Sequence, residues 1–95
     1  MPPRLIVVAG PLSGTSVPLT REETSIGRDN ANHVGLADRS VFPHHCLLVC
    51  RDGRLTIRDL DRDNGTFVNS LPADDRTLED GDEIQVGSSL SCAAG

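Results

Sequence analysis

Apolar positions along the chain fall in short runs rich in Val, Ile, Leu and Thr. Gly, Asp, Asn, Pro or Ser interrupts them roughly every eight to twelve residues, the spacing of strands in a sandwich or barrel. The pattern predicts strands over 4–9, 15–19, 23–26, 33–36, 45–51, 54–59, 66–68, 76–78, 83–86 and 90–93. No segment sustains a period near 3.6, so almost no helix is expected. Turn chemistry supplies the breaks: Gly10-Pro11 and Ser13-Gly14 join the first two strands, Asp52-Gly53 makes a hairpin, and Asp80-Gly81-Asp82 leads into 83–86. Asn64-Gly65 is the strongest short turn signal, because both residue types accept positive φ at little cost. It predicts a hairpin between 54–59 and 66–68, with Asp59, Asp61, Arg62 and Asp63 crowding an exposed tip.

Length and composition narrow the classes. Ninety-five residues make one domain, expected over 1–95, either a whole protein or a module cut from a longer one. The longest apolar run, 5–9, falls far short of the ~20 residues that span a bilayer and of a secretory leader, so the expected location is the cytoplasm. A net charge of −5 and only two aromatic residues, Phe42 and Phe67, argue against a nucleic-acid surface. Every basic side chain is Arg, which suits planar phosphate or carboxylate binding and equally follows from genomic base composition. Cys46 and Cys50 on one strand stand ~13 Å apart, beyond the ~7 Å reach of a disulfide, and are expected as small buried thiols.

Four elements occur in a fixed order: Ile26-Gly27-Arg28, the run Asp38-Arg39-Ser40-Val41-Phe42-Pro43-His44-His45-Cys46, the Asn64-Gly65-Thr66 turn, and Leu78-Glu79-Asp80-Gly81-Asp82-Glu83-Ile84-Gln85-Val86-Gly87. Together they resemble the forkhead-associated (FHA) domain family from about residue 25 to 87. The resemblance implies a two-sheet antiparallel β-sandwich whose loops at one end bind phosphothreonine peptides, without catalysis, cofactor or metal.

By that resemblance Arg28 contacts the phosphate, with Gly27, His45, Gly65 and Thr66 as structural positions. A charge-assisted bond of this kind contributes ~1.5–3 kcal/mol. The chain departs from the family's Ser-x-x-His element: aligned on His45, the Ser position holds Phe42, and the basic residue that often follows is Pro43. The hydroxyl donor to phosphate is missing, and Ser40, two residues earlier, is the candidate to replace it. In the turn, Asn64 is kept for peptide contact, while Arg62 and Asp63 replace the usual small polar residues. A carboxylate ~5 Å from a phosphate dianion repels it by roughly 6 kcal/mol at an effective dielectric of 20, before screening. Arg62 offers either a second guanidinium or a partner that neutralises Asp63. The expected ligand surface is therefore Arg28, Ser40, Phe42, Pro43, His44, Arg62, Asp63 and Asn64, with phosphate binding weak or lost; the alternative is a functional phosphothreonine-binding signalling or transcription-regulator module. Phe42 and Pro43 also suit self-association if they stand exposed.

Other patterns point elsewhere. His33, His44, His45 and Cys46 suggest a metal- or thiol-dependent enzyme, but neighbours on a strand face opposite ways and no second ligand pair has zinc spacing. Asn64-Gly65-Thr66 fits a glycosylation sequon, and Cys92-Ala93-Ala94-Gly95 superficially fits a prenylation box; neither is accompanied by the signals it needs.

Overall fold

Strict alternation in Arg4–Ala9 turns Leu5 and Val7 inward and leaves Ile6 and Val8 on the outer face, as period-two geometry requires. The structure, a computed structural model, describes residues 3–60 and 65–94. Within them the strands are β1 (Arg4–Ala9), β2 (Ser16–Pro18), β3 (Glu23–Gly27), β4 (Val34–Gly35), β5 (Cys46–Arg51) and β6 (Arg54–Asp59). The order continues with β7 (Thr66–Val68), β8 (Leu71–Pro72), β9 (Asp75–Leu78), β10 (Glu83–Val86) and β11 (Ser89–Ala94), and no helix occurs among the described residues.

Two sheets form, ordered β2-β1-β11-β10-β7-β8 and β4-β3-β5-β6-β9. Their inner faces meet in one core that includes Leu5, Ile26, Val41, Leu48, Ile57, Val68 and Ile84. This is the expected two-sheet sandwich. One pair differs from the antiparallel rule: β4 runs parallel to β3, matching Ile26 to Val34 and Gly27 to Gly35. The pairing lasts only two residues, so the chain leaves β3, loops out through 28–33 and returns beside the strand it left.

The expected hairpin around Asn64-Gly65 does not form. β6 lies between β5 and β9 in one sheet, whereas β7 pairs with β10 and β8 in the other. The segment is therefore a crossing between sheets. Gly65 does take positive φ, at +76°; the residue type specifies the bend but not which strand is met afterwards. A true two-residue hairpin occurs next, at Asn69-Ser70, where φ of +51° and +69° turns β7 into β8. Sequence reading missed β8 because a two-residue strand containing Pro carries no alternation; Pro72 is tolerated at the sheet edge. Strand limits elsewhere shift by a residue or two, as at 15–19, which shortens to Ser16–Pro18, and 90–93, which lengthens to Ser89–Ala94.

Candidate functional site at the sandwich apex

Gly27 ends β3 where two loops come within contact distance. A Cβ here would lie 2.3 Å from the Pro43 carbonyl oxygen and 2.7 Å from Asn32 Nδ2, closer than packed atoms approach, so only glycine fits. The next residues zip the 28–33 loop to the 42–45 loop. Arg28 N–H donates to Phe42 O at 2.9 Å, Asp29 N–H to Pro43 O at 3.2 Å, and His45 N–H to Ile26 O at 3.0 Å. Asn32 Nδ2 donates to Pro43 O at 2.6 Å and to Asp29 O at 2.8 Å. The backbone that carries Arg28 is thus fixed, while its side chain stays exposed and forms no ion pair among the described residues. Asn32 was not legible as part of this site: its partner lies eleven residues away, and nothing in the local sequence announces it.

Phe42, which the resemblance sets at the position of a phosphate-binding Ser, is 42% exposed. Its N–H donates to His45 Nδ1 at 3.2 Å, and its ring stands edge-on to the imidazole with centroids 5.9 Å apart. Pro43 and His44 beside it are exposed. His45 is fully buried. Burial pushes its pKa below the usual 6.5, against the opposing influence of Asp59 and a backbone hydrogen bond with Gly65. Since Nδ1 accepts from Phe42, the ring is neutral with its proton on Nε2. Leu60 N–H donates to His45 O at 3.1 Å, so the crossing segment leaves β6 from this same spot. His45 is thus buried beneath the apex and bonded to Ile26, Phe42 and Leu60.

Ser40 is exposed, but its hydroxyl donates to Asp38 Oδ1 at 2.6 Å and its N–H to the same oxygen at 2.9 Å. Thr66 is buried with its hydroxyl beside the Cys46 thiol. Arg62, Asp63 and Asn64, expected to complete the surface, lie outside the described residues, as does the relation of Asp63 to Arg28.

The residues of the enzyme alternative do not converge. His33 accepts the Ser25 N–H through Nδ1 at 3.0 Å on the β3–β4 side, His44 faces solvent, and His45 is enclosed. Burial pushes the Cys46 thiol up to about 12, assisted by Asp59, which leaves no thiolate at neutral pH. Among the described residues no group of three or more His, Cys, Asp or Glu side chains is placed to share a metal ion. Two recesses, of about 350 Å³ near Pro3, Cys50 and Leu55 and about 540 Å³ over Val49, Arg51 and Thr56, lie elsewhere and include none of the apex residues.

Residues 24–87 match the sequence profile of the FHA domain. The chain is 35% identical over 83 residues to the oxoglutarate dehydrogenase inhibitor of Corynebacterium diphtheriae, covering 87% of this chain and 58% of the relative. It is also 35% identical over 83 residues to the glycogen accumulation regulator GarA of Mycolicibacterium smegmatis, covering 87% and 52% respectively. The chain thus spans little more than half the length of these relatives. A solved structure from a structural and functional analysis of phosphothreonine-dependent FHA domain interactions superposes with a TM-score of 0.90 at 28% identity, over 100% of this chain and 97% of that one.

Proposed function

The chain belongs to the FHA domain family, and on that premise we propose that it is a non-catalytic, cytoplasmic module that binds a protein or peptide through its apex loops. Arg28 anchors an anionic group of the ligand, and Phe42, Pro43 and His44 supply a neighbouring apolar and polar rim. Arg62, Asp63 and Asn64 complete the surface, with Asn64 bonding to the peptide backbone and Asp63 opposing a dianion. Ser40 contributes by shaping the loop. The observation that carries this reading is the fixed backbone around an exposed Arg28, hydrogen-bonded to a Phe42 that replaces the hydroxyl donor.

Phosphothreonine dependence is weak on this reading. One Arg supplies ~1.5–3 kcal/mol, whereas Asp63 works against it and no hydroxyl assists. Related FHA domains have phosphothreonine-dependent interactions, and two relatives are named as an enzyme inhibitor and a metabolic regulator; regulation of a protein partner suits this chain equally. No helix among the described residues is long and apolar enough to cross a membrane. Titration with a phosphothreonine peptide library and its unphosphorylated counterpart tests the proposal. The expected outcome is a small difference between the two, with both affinities reduced by Arg28→Ala and by Phe42→Ala. A strong phosphate-dependent affinity abolished by Arg28→Ala would establish a fully phosphate-reading site instead. Light scattering across a concentration series separates ligand binding from self-association through Phe42.

A further inference from the structure

Asp38 belongs to none of the positions marked for ligand contact, yet it holds the loop that carries them. Its carbonyl accepts the Val41 N–H at 3.0 Å, closing a turn over 38–41. Oδ1 accepts the N–H and hydroxyl of Ser40 at 2.9 and 2.6 Å. Oδ2 accepts the Ser88 N–H at 3.0 Å and the Ser88 hydroxyl. One carboxylate therefore takes four donors, filling its lone-pair sites, and the two serines lie in turns attached to opposite sheets. Ser40 follows β4, while Ser88 sits in the turn between β10 and β11, fifty residues from Asp38. These bonds hold the Asp38 carboxyl well below the usual carboxylate range.

The seat for this contact is built into the backbone. Gly87 adopts φ +59°, and a Cβ there would stand 2.6 Å from both Ser40 Oγ and Val41 Cγ2. Val41 is fully buried, so the turn is plugged into the core beside the latch. Ser40 has one hydroxyl proton, and Asp38 takes it; the residue that sequence reasoning offered as a replacement phosphate donor has no proton left for a ligand.

We infer that Asp38 is a positioning residue of the apex: it clamps the 38–41 turn to the β10–β11 turn and so sets where Phe42 stands beside Arg28. The inference rests on the reading that the 40–45 loop forms part of the ligand surface. The far side of that loop is tied independently, through Pro43 O to Asp29 and Asn32. Cutting the latch frees one side only, and the effect on Phe42 is local.

The chain has two Phe residues, so incorporation of 4-fluorophenylalanine into it gives two fluorine signals, assigned with Phe42→Leu. Without ligand, Asp38→Ala is expected to shift or broaden the Phe42 signal, leave that of Phe67 in place, and accelerate amide exchange at Ser40 and Ser88 at least tenfold. Ser88→Ala, which removes one of the four donors, gives a smaller change in the same signals, and Asp38→Asn restores part of the Asp38→Ala loss. Should Asp38→Ala fail to fold, Ser88→Ala decides. An unmoved Phe42 signal with unchanged Ser40 and Ser88 exchange in a folded variant overturns the inference, as does an equal disturbance of both fluorines in Ser88→Ala. In a phosphothreonine-peptide titration, Asp38→Ala is expected to weaken binding about threefold to tenfold. Absence of binding by the unaltered chain, with the fluorine changes present, counts against the ligand reading alone.

Discussion

At the scale of the residue, two buried positions, Gly27 and His45, hold the apex loops in place. Gly27 faces a carbonyl oxygen at 2.3 Å from where a Cβ would stand. Gly27→Ala must push the Pro43 strand of the loop away or break the Arg28–Phe42 bond. Overpacking of this kind costs about 1–3 kcal/mol, and urea denaturation is expected to show a loss in that range, with Arg28 and Phe42 displaced. His45 carries a pH signature. Its folded pKa lies below the unfolded 6.5, so between those values the unfolded chain binds more protons and stability rises with pH. Stability is therefore expected to fall as pH drops below about 6.5, in a window separate from that of Asp38 and Asp82. Their folded pKa values are lowered from 3.8, so their contribution is present above 3.8 and lost below it. Denaturation midpoints from pH 7 to 5 check this, and His45→Asn should flatten the slope. Gly27, Arg28 and His45 were marked in the sequence by the short motifs that contain them, whereas their contacts with Pro43, Phe42 and Ile26 join separate parts of the chain. Asp38 was only half readable. The Asp-x-Ser spacing signals its local turn, but the bond to Ser88 spans half the chain.

At the scale of the element, turn chemistry was read more reliably than strand pairing. Asp52-Gly53 forms the expected hairpin, with φ of +54° and +75° joining β5 to β6. Asn64-Gly65 carries an equally strong signal and serves a different end, a crossing between sheets, because β6 already has partners on both edges. The β7–β8 hairpin escaped notice since Asn69-Ser70 contains no glycine. Asn69 accommodates positive φ and is held by its own bonds: its Nδ2 donates to Asp82 Oδ1 at 3.0 Å, and its Oδ1 accepts the Glu83 N–H at 2.9 Å. Ser70 has no comparable support and sits at φ +69°. Left-handed backbone costs a non-glycine residue about 1–2 kcal/mol, offset in part by glycine's greater unfolded entropy. Ser70→Gly is accordingly expected to stabilise the domain by about 0.5 kcal/mol, read from the shift in denaturation midpoint at unchanged m-value.

At the scale of the whole molecule, the sandwich separates a packed interior from an exposed rim of loops. The interior thiol is inert: Cys46 is fully buried with its pKa pushed up to about 12, whereas Cys50 and Cys92 are half-buried. Thiol labelling under native conditions is expected to modify Cys50 and Cys92 first and to leave Cys46 unmodified until the chain unfolds; rapid native labelling of Cys46 would revive the thiol-enzyme alternative. Sequence alone determined the strand content, most strand positions and the FHA resemblance, because alternation, turn residues and short motifs are local properties of the chain; it marked Arg28 as the candidate anion contact. It also showed that Phe42 removes a hydroxyl, since that is a matter of residue identity. Tertiary structure decided which strands pair, that the Asn64-Gly65 segment crosses between sheets, that Phe42 faces outward, and that Ser40 is bound to Asp38. Each of these depends on groups from distant parts of the chain competing for the same partners, and that competition is resolved only when the two sheets close over one core.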